Sequence, residues 1–153
     1  MAIFISLLPL LIILAIIAFF VFKANSKMSD IPSVVPGEGV NVPVFNAYIG
    51  YRLFNVHNGI WPKFTLFEDH FDYRVLQTRS CRYEQVDKID YYSGIWGMGA
   101  DITMSFTDGR WNLSLNMNTT NSKEVLKFLK QKGCKLTEQA EKMLAPNEQQ
   151  FNN

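Results

Sequence analysis

The sequence predicts a mainly β domain capped by a C-terminal α-helix and carried on one N-terminal transmembrane helix. Three observations predict it. Residues 1–22 hold no charged side chain, and their apolar run is long. Two stretches on either side of Asp108-Gly109 alternate apolar and polar residues with the period of a strand. A lysine-bearing stretch with helical spacing follows them.

The apolar segment comes first. A bilayer's hydrocarbon core is roughly 30 Å thick and takes about 20 mainly apolar helical residues to cross. Residues 3–22 meet that length. Lipid offers backbone amides no partners, so such a segment must be helical. Pro9 lies near its start, where a missing amide donor costs little. A cleaved signal peptide needs a positive n-region, an apolar core of about 7–15 residues and small residues before the cut. Here no Lys or Arg precedes the core, and a cut after Ala24 would put Phe22 where a small residue is wanted. Residues 1–24 therefore predict a retained anchor with one span. Lys23 and Lys27 flank its C-terminal end, and only the amino terminus flanks the other. Positive charge stays inside, so the domain is expected at the cytoplasmic face of the cell membrane.

Composition narrows the partners. Lys plus Arg number 15 and Asp plus Glu 14, so net charge supplies no basic field for nucleic acid. Cys81 and Cys134 lie far apart in the chain and are expected as free thiols of a reducing compartment. The sequons at Asn112 and Asn118 matter only in a glycosylating secretory pathway.

Residues 25–47 are expected to be a linker. Within 29–43 three prolines and two glycines disfavour helix and strand alike. Strand signals then begin. Residues 51–59 form a strand candidate ending at Asn58-Gly59. Residues 63–67 and 70–76 follow, joined by Glu68-Asp69. In the second, Phe71, Tyr73 and Val75 alternate with Asp72 and Arg74. Residues 82–92 put Ile89 and Tyr91 on one face. Next, Ile102, Met104 and Phe106 precede the Asp108-Gly109 turn, and Trp111, Leu113, Leu115 and Met117 follow it. This is an antiparallel hairpin with one buried face. A one-residue slip would turn every one of those residues to water, so the register is firm.

Asn121 and Glu124 have capping-box spacing and predict a helix start. Val125, Leu126, Phe128 and Leu129 give its apolar stripe, and Gly133 its end. A second short helix is expected over 138–144, capped by Thr137. A small sheet must protect its edges and bury its apolar face. A curved sheet or open barrel with the helix packed over one end does both.

These residues carry a resemblance. WPKFTLFEDHFDYR, YEQVDKIDYY, ITMSFTDGRWNLSL and KEVLKFLKQKG, in that order, resemble a bacterial pleckstrin-homology (PH)-like domain across residues 51–133. The resemblance implies a seven-stranded β-sandwich or open barrel capped by an α-helix, over 48–134; the residues after it predict a short helix and tail over 135–153. It implies no enzymatic activity. Eukaryotic relatives that bind phosphoinositides use clustered Lys and Arg after the first strand. Here that loop, NVHNGIWPK, has Lys63 alone, so phosphoinositide binding does not carry over.

Chemistry-bearing residues are few. Asp69, His70 and Asp72 lie at a hairpin bend, where such residues are common surface groups. Cys81 sits between Arg79 and Arg82, which would lower its pKa if they were close, but no base is evident beside it. The glycines of GIWGMG loosely resemble a phosphate loop, but a strand follows them where a helix is needed. No catalytic, metal-binding or cofactor-binding residue is assigned, and neither an enzyme nor a small-molecule substrate is expected.

Two surfaces remain. Trp61, and Ile95, Trp96 and Met98 in the glycine loop, are residue types favoured at protein interfaces, against the plainer reading that they fold back on the barrel. Lys123, Lys127, Lys130, Lys132 and Lys135 are candidate contacts for anionic lipid heads, against the plainer reading of a solvated helix face. The expected function is a non-enzymatic protein-interaction module tethered at the membrane. Its alternative is anionic phospholipid-headgroup binding that supplements the anchor.

Overall fold

The computed structural model describes residues 12–16, 37–51, 55–94 and 99–145. The expected anchor, 1–24, lies outside them except for residues 12–16. These are helical and exposed. Among the described residues no helix is long and apolar enough to cross a membrane.

The described domain is mainly β. Its strands are β1 (Val40–Asn41), β2 (Asn46–Tyr51), β3 (Asn55–Asn58), β4 (Lys63–Leu66), β5 (His70–Arg74), β6 (Thr78–Arg82), β7 (Val86–Ser93), β8 (Ala100–Phe106) and β9 (Trp111–Met117). Two helices follow, α1 (Thr119–Gln131) and α2 (Glu138–Leu144). The strands form two antiparallel sheets, a 4-stranded one in the order β1-β4-β5-β6 and a 5-stranded one in the order β3-β2-β9-β8-β7. Neither sheet is closed. Nine strands are described, where the resemblance implies seven.

The hairpin β8–β9 forms in the expected register, with Ile102 opposite Leu115 and Met104 opposite Leu113. All four are fully buried. Gly109, with φ 63°, makes the turn between them, and its N–H donates to the Phe106 carbonyl at 2.8 Å. Trp111 departs from the pattern. It is only partly buried, because it starts its strand beside the turn, and it stacks on Phe106 at 3.8 Å.

Inner residues of both sheets share one core. Phe64, Leu66 and Phe71 of the smaller sheet and Ile49, Ile102 and Leu113 of the larger belong to it. Helix α1 closes the core with the expected stripe, Val125, Leu126, Phe128 and Leu129. Each fully buried aliphatic there stabilises by about 1.5–3 kcal/mol. Gly133, with φ 85°, ends the helix in the left-handed conformation that a Cβ would disfavour.

Three expectations need correction. Helix α1 is capped by Asn118, whose Oδ1 accepts the Asn121 N–H at 2.7 Å. Asn121 is itself inside the helix, so the cap lies one turn earlier than its spacing from Glu124 implied. The candidate strand over 51–59 is the end of β2 and all of β3, paired as a hairpin with Tyr48 opposite His57. The linker expected over 25–47 yields its last residues to the fold. Val40 pairs with Leu66, and Val42, Val44 and Ala47 are buried. Its proline and glycine content hid three apolar side chains that the core needs.

The outer edge of β7 is covered. Ile89 donates to the Lys135 carbonyl at 2.8 Å and accepts from Thr137 N–H at 2.9 Å. This links the α1–α2 connection to the sheet and blunts an edge that would otherwise invite pairing.

Candidate functional site

Trp61 does not fold back. It is 72% exposed, with Ile60 at 79% and Leu76 at 76%. Single exposed apolar residues are ordinary on a protein surface. These three sit on two loops that are tied together. Asn58 organises the first loop, because its Oδ1 accepts the N–H groups of Ile60 at 3.1 Å and Trp61 at 3.0 Å. The same side chain donates through Nδ2 to the Val75 carbonyl of the β5–β6 loop at 2.9 Å. Arg74 returns the tie, donating through Nε to the Trp61 carbonyl at 2.9 Å. One asparagine and one arginine thus present Ile60, Trp61 and Leu76 from neighbouring loops. Beside Leu76, Ile49, Val56 and Arg79 line a small cavity of about 80 Å³.

Sequence reasoning found Trp61 and missed the other two. A signal for Leu76 existed. It falls on the polar phase of β5, with His70, Asp72 and Arg74, while Phe71, Tyr73 and Val75 are buried. An apolar residue continuing the wet phase is placed to face solvent. Ile95, Trp96 and Met98 lie outside the described residues. The base of their loop is closed by a hydrogen bond from Gly94 N–H to the Gly99 carbonyl at 2.9 Å.

The lysines of α1 and its C-terminal extension are partly compensated. Lys127 pairs with Glu124 at 2.8 Å, and Lys130 pairs with Glu141 of α2. Lys132 lies over the Phe128 ring, 5.3 Å from its centroid. Among the described residues, Lys123 and Lys135 have no ion-pair partner.

The acidic bend holds two hydrogen-bonded pairs, His70 with Asp69 and Ser80 with Asp72. His70 Nδ1 lies 2.6 Å from Asp69 Oδ1, and its Nε2 lies 3.8 Å from Asp72 Oδ1. Ser80 donates to the same Asp72 oxygen. The His70 ring stacks on Phe67 at 4.5 Å. The hydrogen bond from His70 holds the Asp69 carboxyl below its usual range. Each of these groups already has a partner, and among the described residues no set of three or more His, Cys, Asp or Glu side chains is disposed to hold a metal ion.

Burial, and not its arginine neighbours in sequence, governs the Cys81 thiol. Its thiol is pushed up to about 11, first by burial and then by Cys134 and Asp108. Arg79 and Arg82 do not lower it, because burial removes the thiolate from water and outweighs any cation nearby. Cys134 is also pushed up to about 11 by burial. Both are free thiols. Tyr83, buried beside them, donates its hydroxyl to the Phe67 carbonyl at 2.7 Å. Burial raises its pKa in the same direction. These three groups are packing residues, with none of the thiolate or phenolate character that nucleophilic chemistry needs.

Compared with known proteins, the chain matches no family model and no curated sequence.

Proposed function

We propose that the chain is a non-enzymatic, single-pass membrane protein whose PH-like domain binds a protein partner at the cytoplasmic membrane face. The contact surface is the loop pair carrying Ile60, Trp61 and Leu76. One observation carries this reading: three large apolar side chains, each at least 72% exposed, are held on adjacent loops by hydrogen bonds through Asn58 and Arg74. Trp and apolar anchors of this kind dominate binding energy at protein interfaces.

The route of the chain supports a partner away from the anchor. Val40 pairs with Leu66 at the C-terminal end of β4, so the described chain enters the domain at that end. The loops carrying Ile60 and Leu76 flank Lys63 and Arg74, which pair at the opposite end of β4 and β5. A domain attached at one end of these strands presents the patch from the other. Anionic-lipid binding by the lysine face has less support. A lysine near a membrane surface contributes about 1 kcal/mol, but Lys127 and Lys130 already have carboxylate partners.

Photoreactive residues placed at 61, 76 and 123 of the full-length chain in its native membrane test the contact. The expected result is one protein adduct common to 61 and 76, absent from 123, and weakened at least tenfold by Leu76→Ser. Adducts with lipid alone, with a second copy of the chain, or equal at all three positions would remove the patch from the account. Topology is tested separately with C-terminal reporters. Fluorescence from a cytoplasm-dependent reporter, with the chain in the membrane fraction, is expected; activity of an externally active phosphatase would reverse the orientation.

A further inference from the structure

We propose that the outer face of the 5-stranded sheet binds an uncharged saccharide. This face lies opposite the core, and neither described helix covers it, since α1 packs its stripe inward. Its side chains form rows across the strands. One row runs from His57 through Tyr48, Ser114 and Thr103 to Asp90. The row beside it runs from Asn46 through Asn116 and Asp101 to Tyr92. On the other side Asn55 and Asn112 flank Gly50. All of these except His57 and Asp90 line a groove of about 490 Å³. That volume lies within the range of roughly 300–1,000 Å³ typical of small-molecule sites.

The charge of the groove selects the class of ligand. Among the described residues no lysine or arginine lines it. Among the described residues the nearest cation along the rows, Lys88, pairs with Asp90 at 3.8 Å. Phosphate, sulfate and carboxylate groups therefore find no counter-charge among the described lining residues. The one lining carboxylate, Asp101, already accepts a hydrogen bond from Asn116 Nδ2 at 2.7 Å. What remains is neutral. Asparagine amides carry a donor and an acceptor on the same group, as do the hydroxyls of Thr103 and Ser114, which bond one another at 2.8 Å. Sugar hydroxyls need this dual capacity.

The aromatic rings complete the match. Tyr92, 50% exposed, stands on β7, and Tyr48 stands on β2 with its ring 6.0 Å from that of His57. The two tyrosines bracket the groove across three strand spacings, about 14 Å. That is long enough for a disaccharide, whose C–H faces pack on aromatic rings. An extended peptide suits this face less. Peptides gain affinity by pairing with a sheet edge, and here the backbone beneath the groove is already paired on both sides in β2, β9 and β8.

The test uses the full-length chain in phosphatidylcholine nanodiscs, since detergents with sugar heads would compete. Saturation-transfer NMR is recorded with cellobiose, maltose and N,N′-diacetylchitobiose, and with glucuronate as the anionic control. Saturable transfer to at least one neutral disaccharide is expected, weaker than that by at least tenfold for glucuronate. Asn112→Ala and Tyr92→Ala are each expected to lower affinity at least tenfold without moving the melting temperature. Trp61→Ser is expected to leave it unchanged, which separates this site from the loop patch. Absence of transfer to all three sugars, transfer that survives both groove variants, or equal transfer to glucuronate would overturn the assignment.

Discussion

The domain is expected to lose several kcal/mol of stability between pH 9 and pH 11. Cys81 and Cys134 are both pushed from 9.0 up to about 11 by burial, to which Cys134 and Asp108 add in the case of Cys81. Above pH 9 the unfolded chain releases both thiol protons while the folded chain keeps them. The folded state then binds more protons, so unfolding becomes easier as pH rises. Below pH 9 both states are protonated and the thiols contribute no slope. Each thiol lowers stability by about 1.4 kcal/mol per pH unit in this window. Two units and two thiols give roughly 5 kcal/mol, a large part of the 5–15 kcal/mol by which domains are usually stable. Tyr83 adds to the loss at the upper end, because its phenol is raised by burial as well. Urea midpoints of the full-length chain at pH 8 and pH 10.5 measure the effect. A Cys81→Ala, Cys134→Ala double variant should show a markedly flatter decline. Equal declines in the two proteins would show that the thiols are not what fails at alkaline pH.

The same burial explains why parts of the fold were legible in the sequence and others were not. The β8–β9 hairpin and the stripe of α1 each turn one apolar face to the core, and that periodicity is written in adjacent residues. Strand β6 has no such pattern. It is an edge strand in which Cys81 alone is buried, so Thr-Arg-Ser-Cys-Arg carries no strand period. Val42 and Val44 alternate with proline and asparagine in a segment whose glycines and prolines signal irregular chain. Their burial depends on the sheet they reach, which is a tertiary fact. The cap of α1 was misplaced for a local reason. Asn118, Thr119, Thr120 and Asn121 are all plausible cap types, and spacing to Glu124 favoured the wrong one.

The candidate surfaces divide along the same line. Trp61 was visible as a type, and Leu76 was visible as an off-phase residue. Their union was not, because it rests on Asn58 bridging to the Val75 carbonyl across 17 residues. The groove was the least legible. Its residues are the polar halves of strands whose apolar halves drew attention, and they become a site only when register aligns Asn46 with Asn116 and Asp101 with Tyr92. Alternation predicts that such residues face water. It says nothing about whether their neighbours across the sheet make them complementary to a ligand.

Phe71→Ala is expected to be among the most destabilising single substitutions in the domain, costing about 3–5 kcal/mol. Phe71 is fully buried on β5, and its ring meets Phe64 at 5.5 Å and Tyr83 at 5.7 Å. Tyr83 in turn meets Phe128 of α1 edge-on at 5.8 Å. This line of rings joins the smaller sheet to the helix. Removing Phe71 breaks this line and leaves a cavity in the core that the sheet and the helix would have to shift to fill, so little relaxation is expected. Phe71→Leu keeps most of the volume and should cost substantially less. The comparison of the two by urea unfolding separates a packing role from a general intolerance of change at this position. A Leu variant as damaging as the Ala variant would mean that ring geometry, worth about 0.5–1.5 kcal/mol for each aromatic pair, outweighs filled volume here. An Ala variant costing less than about 1 kcal/mol would show that the sheet and helix collapse onto the cavity, and that the ring line is not what holds them together.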